Sequence, residues 1–332
     1  MKAVVLVGGL GTRLRPLTED IPKPLLPVGQ RPIIEHVVRT LAAGGVSEVV
    51  LALGFRPDAF VDAYPGGECD GIPLHYAVEP QPLDTAGAIA FASRHAGIDD
   101  TFVVVNGDVL TDLDVRELMA FHRSHGAEAT LHLTPVEDPS AFGVVALDGD
   151  GRVERFVEKP ARHTAPSHMI SAGTYVFEPS MVERVPAGGR LSVERDVFPA
   201  VAAEGRLFAL CTEDYWIDTG RPDLYRQANL DAVSGARQTV HEPGVGVGTQ
   251  VDGDVDRCVL GAGVRVGSGA EVRSSVLLSG VRVDENAVVV DSVLGPDAHV
   301  RAGARLDDVV LGRGAVVEAG ERLSNACRPV SA

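Results

Sequence analysis

Three glycines and three cations stand close together near the start of the chain. Gly8, Gly9 and Gly11 follow the apolar run Ala3 to Val7, and Arg13, Arg15 and Lys23 come next, with no acid before Glu19. Glycines let a backbone turn tightly and approach a ligand, and their amides can face phosphate oxygens. Arg and Lys clamp a polyphosphate and the charge that develops on it. The stretch is not a Walker A loop, because no Lys-Ser/Thr follows the glycines. Nor is it a dinucleotide fingerprint, because Leu14 stands where a third glycine belongs. Pro16, Pro22, Pro24 and Pro27 exclude one long helix.

Carboxylates follow apolar runs further on. IPLHYAV, residues 72–78, leads into Glu79, and TFVVV, residues 101–105, leads into Asn106-Gly107-Asp108. Ligands of open α/β sheets sit at strand ends of this kind. A carboxylate only accepts hydrogen bonds, and guanine presents two adjacent donors, at N1 and N2, so Glu79 suits guanine. Asp108 suits a hard divalent cation, Mg²⁺ above all. Glu158-Lys159-Pro160 pairs a phosphate-binding cation with an acceptor for sugar hydroxyls. His122, His125 and His132 are close in sequence, but their spacings of 3 and 7 do not converge on a metal.

The elements that must position these residues alternate. A strand, the glycine loop, a helix over 31–41 ended by Gly44-Gly45, and a strand over 47–53 predict parallel pairing. Thr85-Ala86-Gly87 opens a helix of small residues. Further strands are expected at 129–136, 142–147, 153–157, 169–177 and 206–211, with helices at 115–122 and 222–230.

GGLGTRLRPLT followed by PKPLLPV, residues 8–18 and 22–28, resembles the signature of the sugar-phosphate nucleotidyltransferases, the nucleotide-sugar pyrophosphorylases. The bacterial mannose-1-phosphate guanylyltransferases look most alike. The resemblance runs from residue 1 to about 230. It implies a Rossmann-like mixed or parallel α/β sheet, and a reaction of a nucleoside triphosphate with a sugar 1-phosphate that yields a nucleotide sugar and pyrophosphate. Mg²⁺ is the implied cofactor. Arg13 and Lys23 are then catalytic cations at the triphosphate and Lys159 holds the incoming phosphate. Asp108 and Asp218 are the metal carboxylates. Leu6, Gly8, Gly9, Gly11, Thr12, Arg13, Glu79, Asp84, Thr85, Ala86 and Gly87 line the nucleotide pocket. Asn106, Gly107, Gly143, Glu158, Lys159, Ser171 and Gly173 line the sugar-phosphate pocket. The VERDVFP segment, residues 193–199, is expected to order the sugar pocket from behind.

Two residues depart from the guanylyltransferase pattern. Asp84 replaces a glycine beside the nucleotide, where it would narrow the pocket or contact guanine itself. Ser171 replaces an asparagine expected to bond a sugar hydroxyl, and serine has a shorter reach. Mannose 1-phosphate with GTP is the favoured pair. Glucose 1-phosphate or a carbasugar 1-phosphate, with GTP, UTP, ATP or dTTP, is the alternative.

Beyond residue 250 the sequence repeats every 17 residues. Val266, Val283, Val300 and Val317 form one series; Val255, Val272, Val289, Leu306 and Leu323 a second; Leu260, Leu277, Leu294 and Leu311 a third. Steps of 6, 5 and 6 describe a three-sided coil, a left-handed parallel β-helix of imperfect hexapeptides. The expected organisation is a catalytic domain at 1–234, a linker at 235–250 and the β-helix at 251–332, whose flat sides suit packing into a homo-oligomer, a dimer or tetramer. An acyltransferase built on the coil would need a catalytic histidine, and His299 is the only one there. A non-catalytic regulatory subunit would have lost Arg13, Lys23, Asp108 or Asp218, and all four are present.

The 332 residues carry a net charge of −16, which argues against a general nucleic-acid binder. No apolar run nears membrane-spanning length and no signal peptide is expected. Cys69, Cys211, Cys258 and Cys327 lack metal-ligand spacing, so a reduced, cytoplasmic protein is expected.

Overall fold

In the computed structural model, which describes residues 1–54, 56–237 and 240–329, the opening apolar run is β1 (Lys2–Leu6). It leads through the glycine turn to α1 (Ile33–Ala43) and β2 (Glu48–Leu53). Then follow α2 (Pro57–Ala63), β3 (Ile72–Val78), α3 (Asp84–His95), β4 (Phe102–Asn106), α4 (Val115–His125) and β5 (Ala129–Pro135). A hairpin of β6 (Gly143–Leu147) and β7 (Val153–Glu158) precedes β8 (Met169–Phe177), α5 (Phe198–Ala203) and β9 (Leu207–Cys211). α6 (Pro222–Ser234) comes last before the coil. The short α2 has no counterpart in the sequence reading.

Two units emerge: Met1–Gly9 with Ile34–Trp216, and Leu10–Ile33 with Ile217–Ala332. In the first, strands run in the order β7-β6-β8-β4-β1-β2-β3. β3, β2, β1 and β4 are parallel, whereas β8 runs antiparallel to β4, so the sheet is mixed. β1, β2 and β4 are nearly continuous apolar runs because both their faces are covered, whereas β3, at the outer end of this order, alternates buried and exposed residues. Phe102, Tyr175, Phe177 and Phe198 interlock on one side of the sheet with edge-on and stacked rings.

His122 and His132 are structural. His122 hydrogen-bonds Thr130 Oγ1 at 2.8 Å and Glu178 Oε1 at 3.0 Å. His132 is fully buried and meets Thr212 Oγ1 at 2.8 Å. Burial pushes the His132 pKa down to about 4. An unfolded histidine titrates near ~6.5. Between those values the unfolded chain holds one more proton, so stability falls as pH drops through that window, by up to about 1.4 kcal/mol per pH unit. His132→Gln should flatten that fall in denaturant midpoints between about pH 6.5 and pH 4. Equal slopes for wild type and variant would refute it.

In the second unit the 17-residue series stack in parallel register. Val255 lies over Val272, Leu260 over Leu277 and Val266 over Val283, and each column continues down the coil. Their side chains fill the coil core. The corners take left-handed backbone in three columns, Gly263-Gly280-Asp297-Gly314, Gly269-Asn286-Gly303-Gly320 and Arg257-Ser274-Asp291-Asp308-Asn325. Three such corners per turn make a three-sided parallel β-helix. Val245 already bridges Leu260, and Gln250–Val251 pairs with Arg265–Val266, so the first rung begins inside the stretch read as a linker. Residues 238 and 239 of that stretch lie outside the described residues. Ser275 and Ser292 form an internal ladder: each accepts an amide from the next turn, from Ser292 and Val309, at 3.0 and 3.1 Å. α6 is fastened to the coil through Arg226, which donates to Asp291 Oδ1 at 2.7 Å and to the Ser274 carbonyl at 2.9 Å. Among the described residues no helix is long and apolar enough to cross a membrane.

Candidate active site

Strand register decides which residues meet in the first unit. Leu6 pairs with both Ala52 and Asn106, and Leu53 with Val78. The exits of β1, β3 and β4 therefore share one edge, with Gly8-Gly9, Glu79 and Asn106-Gly107-Asp108 just beyond it. A Cβ on Gly8 would lie 3.5 Å from Glu79 Oε1, so the carboxylate stands beside the glycine turn. Its other oxygen, Oε2, accepts from the Leu83 amide at 2.9 Å. Burial raises the Glu79 pKa, the Leu83 amide opposing. Glycine is required at 107: a Cβ there would approach Val7 Cγ1 at 2.6 Å and the Leu6 carbonyl oxygen at 2.9 Å. That tight passage sets Asn106 and half-buried Asp108 on either side of it.

The antiparallel half adds the residues assigned to the sugar phosphate. Gly143 pairs with Glu158 across the β6–β7 hairpin. Lys159 adopts a φ of 47° and its Nζ lies 3.1 Å from Glu158 Oε1, leaving the ammonium largely exposed. Gly173, at φ 78°, is pressed on Asn106: a Cβ would come within 2.7 Å of Nδ2. The Ser171 hydroxyl donates to the Tyr175 hydroxyl at 3.4 Å. Burial, then the charges of Glu194, Glu158 and Asp108, hold the buried Tyr175 phenol protonated far above the usual tyrosine range. Tyr175 thus touches Ser171 and lies within electrostatic range of Glu194, Glu158 and Asp108; nothing local to the Tyr175 sequence signals it.

The helix opening at Thr85-Ala86-Gly87 has a protein partner. The Ala86 and Gly87 amides donate to the Leu191 carbonyl at 2.9 and 3.2 Å. A Cβ on Gly87 would meet the Gly189 carbonyl oxygen at 2.4 Å. Close packing here is therefore of backbone on backbone. Thr85 donates to Glu194 Oε2 at 2.7 Å and accepts from the Val193 amide at 2.8 Å. Asp84 sits at φ 61°, and its oxygens accept from the Thr85 amide and from Arg195 Nη2, both at 2.8 Å. The π-helical turn Val193–Val197, expected behind the sugar pocket, is thereby bonded to the nucleotide segment, while Glu194 also acts on Tyr175.

The second unit holds the remaining candidates. Gly11, at φ 60°, starts the 3₁₀ turn Thr12–Leu14, and its carbonyl accepts from Thr18 Oγ1 at 2.8 Å. Thr12 and Arg13 are exposed and Leu14 is buried, so the arginine is anchored by the residue after it. Lys23 is only 5% exposed, and its Nζ is 3.2 Å from Asp218 Oδ1. Arg13 Nη2 lies 3.8 Å from Asp218 Oδ2. The Gly220 amide donates to Oδ1 at 2.8 Å, and a Cβ on Gly220 would strike Arg13 Nη2 at 2.7 Å. Gly220, which the sequence reading passed over, lets one acid face both cations. Among the described residues no three His, Cys, Asp or Glu side chains cluster as a metal site. The donors nevertheless fit a hard cation. Mg²⁺ takes one or two carboxylates with substrate phosphates, and the 3.8 Å gap to Arg13 leaves Asp218 Oδ2 with lone pairs to offer.

Residues 2–235 match the family model described as Nucleotidyl transferase, and residues 232–325 the model of the GlmU-like C-terminal hexapeptide. The chain belongs to the nucleotidyl transferase family. This nucleotidyl transferase is 38% identical to a mannose-1-phosphate guanylyltransferase of Mycobacterium tuberculosis over 80% of this chain and 81% of the relative. It is 41% identical to a mannose-1-phosphate guanyltransferase of Schizosaccharomyces pombe over 73% of this chain and 67% of that one. Among solved structures, HddC from Yersinia pseudotuberculosis complexed with GMP-PN aligns with a TM-score of 0.59 at 29% identity, covering 69% of this nucleotidyl transferase and 97% of that chain.

Proposed function

We propose that the chain is a mannose-1-phosphate guanylyltransferase, which joins GTP and mannose 1-phosphate into GDP-mannose and pyrophosphate. The observation that carries this reading is Glu79: an acceptor-only carboxylate standing beside the glycine turn, in a chain whose relatives bear that name. A phosphate oxygen of the sugar phosphate attacks the α-phosphorus, an O–P bond forms, and the bond to the β-phosphate breaks with pyrophosphate as leaving group. The attacking phosphate is already ionised, so no general base is needed. Alignment of two anions and stabilisation of charge at phosphorus remain. Arg13 and Lys23 serve the triphosphate, Lys159 the incoming phosphate, and Glu158, Asn106 and Ser171 the sugar. Asp108 and Asp218 would hold Mg²⁺, which when bound offsets phosphate charge. The same reading keeps the enzyme in the cytoplasm and assembles it as a dimer or tetramer through its coil.

Ser171 favours a second reading, glucose 1-phosphate or a carbasugar 1-phosphate as acceptor, because its hydroxyl is turned to Tyr175. With GTP as donor, wild type should show the higher kcat/KM for mannose 1-phosphate over glucose 1-phosphate. If wild type rejects mannose 1-phosphate and Ser171→Asn accepts it, the mannose assignment is wrong.

A further inference from the structure

We propose that Arg195 is a positioning residue for the nucleotide, because it neutralises Asp84 and latches the segment that carries both Glu79 and Thr85. The inference rests on the reading of this edge as a nucleoside triphosphate site. Asp84 follows Leu83, whose amide caps Glu79, and Glu79 in turn stands beside Gly8. A carboxylate at 84 therefore sits close to where a polyanion would bind. It occupies left-handed backbone at φ 61°, which glycine adopts without strain and Asp tolerates. The sequence pattern predicts an acid that narrows the pocket or touches the base. In the protein one of its oxygens takes the Thr85 amide and the other the Arg195 guanidinium, each at 2.8 Å.

Arg195 comes from a turn that already holds the same segment. Glu194 accepts from Thr85 at 2.7 Å, and the Val193 amide donates to Thr85 Oγ1 at 2.8 Å. The Ser192 hydroxyl accepts from the Arg195 amide at 3.2 Å, and the Ser192 amide donates to Asp196 Oδ2 at 2.7 Å, so the turn is itself braced. Arg195 and Asp84 close this network on its outer side, with side chains 58% and 30% exposed. A pair so exposed adds little to stability. Its consequences are local: it holds the turn at residues 83–87, and without Arg195 an uncompensated carboxylate faces the approaching nucleotide.

The test is a double-mutant cycle on the full chain, with Arg195→Ala, Arg195→Lys, Asp84→Asn and the Asp84→Asn/Arg195→Ala pair. Michaelis constants are measured with whichever nucleoside triphosphate wild type uses best, so failure of the guanine reading leaves the test intact. Arg195→Ala should raise KM for the nucleotide about three- to tenfold at low salt with kcat little changed, and the effect should shrink as salt screens it. Arg195→Lys should recover most of the loss. In the Asp84→Asn background, Arg195→Ala should have no effect on KM. An equal KM penalty in both backgrounds, or one that ignores salt, overturns the proposal. Amide hydrogen exchange at residues 83–87 is read in parallel without nucleotide. If wild type turns over no triphosphate, the functional reading fails, and unchanged exchange in Arg195→Ala overturns the latch as well, whereas faster exchange there upholds it.

Discussion

Asp108→Asn should lower kcat by about a hundred- to a thousandfold or more, on the scale of losing one charge-stabilising group, and leave the chain folded. Asp108 follows the tight passage at Gly107, so its place is set by backbone and does not depend on its charge. Asparagine keeps the shape and loses the negative charge that a hard cation needs. The fold should tolerate the change. The melting temperature should hold, and pyrophosphate release in Mg²⁺ should nearly vanish. Near-normal turnover would exclude Asp108 from the metal role.

Glu79→Gln should cut the preference for GTP over UTP and dTTP by roughly tenfold to a few hundredfold. Losing a buried charge-assisted contact costs about 1–3 kcal/mol, and each ~1.4 kcal/mol is a decade. The structure sharpens this expectation. Oε2 already serves the Leu83 amide, and glutamine can keep that bond, so the turn should survive. What glutamine cannot keep is two acceptor oxygens, and its amide group turns a donor toward guanine's donors. A pH signature accompanies the loss. Burial raises the Glu79 pKa, so protonation begins above the ordinary glutamate value of about 4.3. Wild-type KM for GTP should climb on acidification toward that range, while Glu79→Gln stays flat. Unchanged GTP selectivity would remove the guanine argument and leave the family assignment untouched.

Local pattern made much of the fold legible. The apolar runs became β1, β2 and β4, and the 17-residue period became parallel register, because each depends on residues near one another or on strict repetition. Strand-end acids were legible for the same reason. What stayed hidden was partnership across the chain. Asp84 meets Arg195 111 residues away, and Lys23 meets Asp218 195 residues away. The resemblance puts Ala86 and Gly87 in the nucleotide pocket, but it does not show that their amides bond the Leu191 carbonyl or that Gly87 packs on Gly189. The left-handed corner at Arg257 and Ser274 is likewise not legible in the sequence, since those residue types seldom signal such backbone. Tyr175 is a core aromatic by composition, and only its neighbours give it a place in the site.

The most direct measurement mixes the purified chain with Mg²⁺, mannose 1-phosphate and each nucleoside triphosphate in turn, and follows products by phosphorus NMR. The expected result is GDP-mannose and pyrophosphate in equal amounts from GTP, formed faster than any product from UTP, dTTP or ATP. No pyrophosphate from GTP with mannose 1-phosphate, or faster formation from another triphosphate, would contradict it.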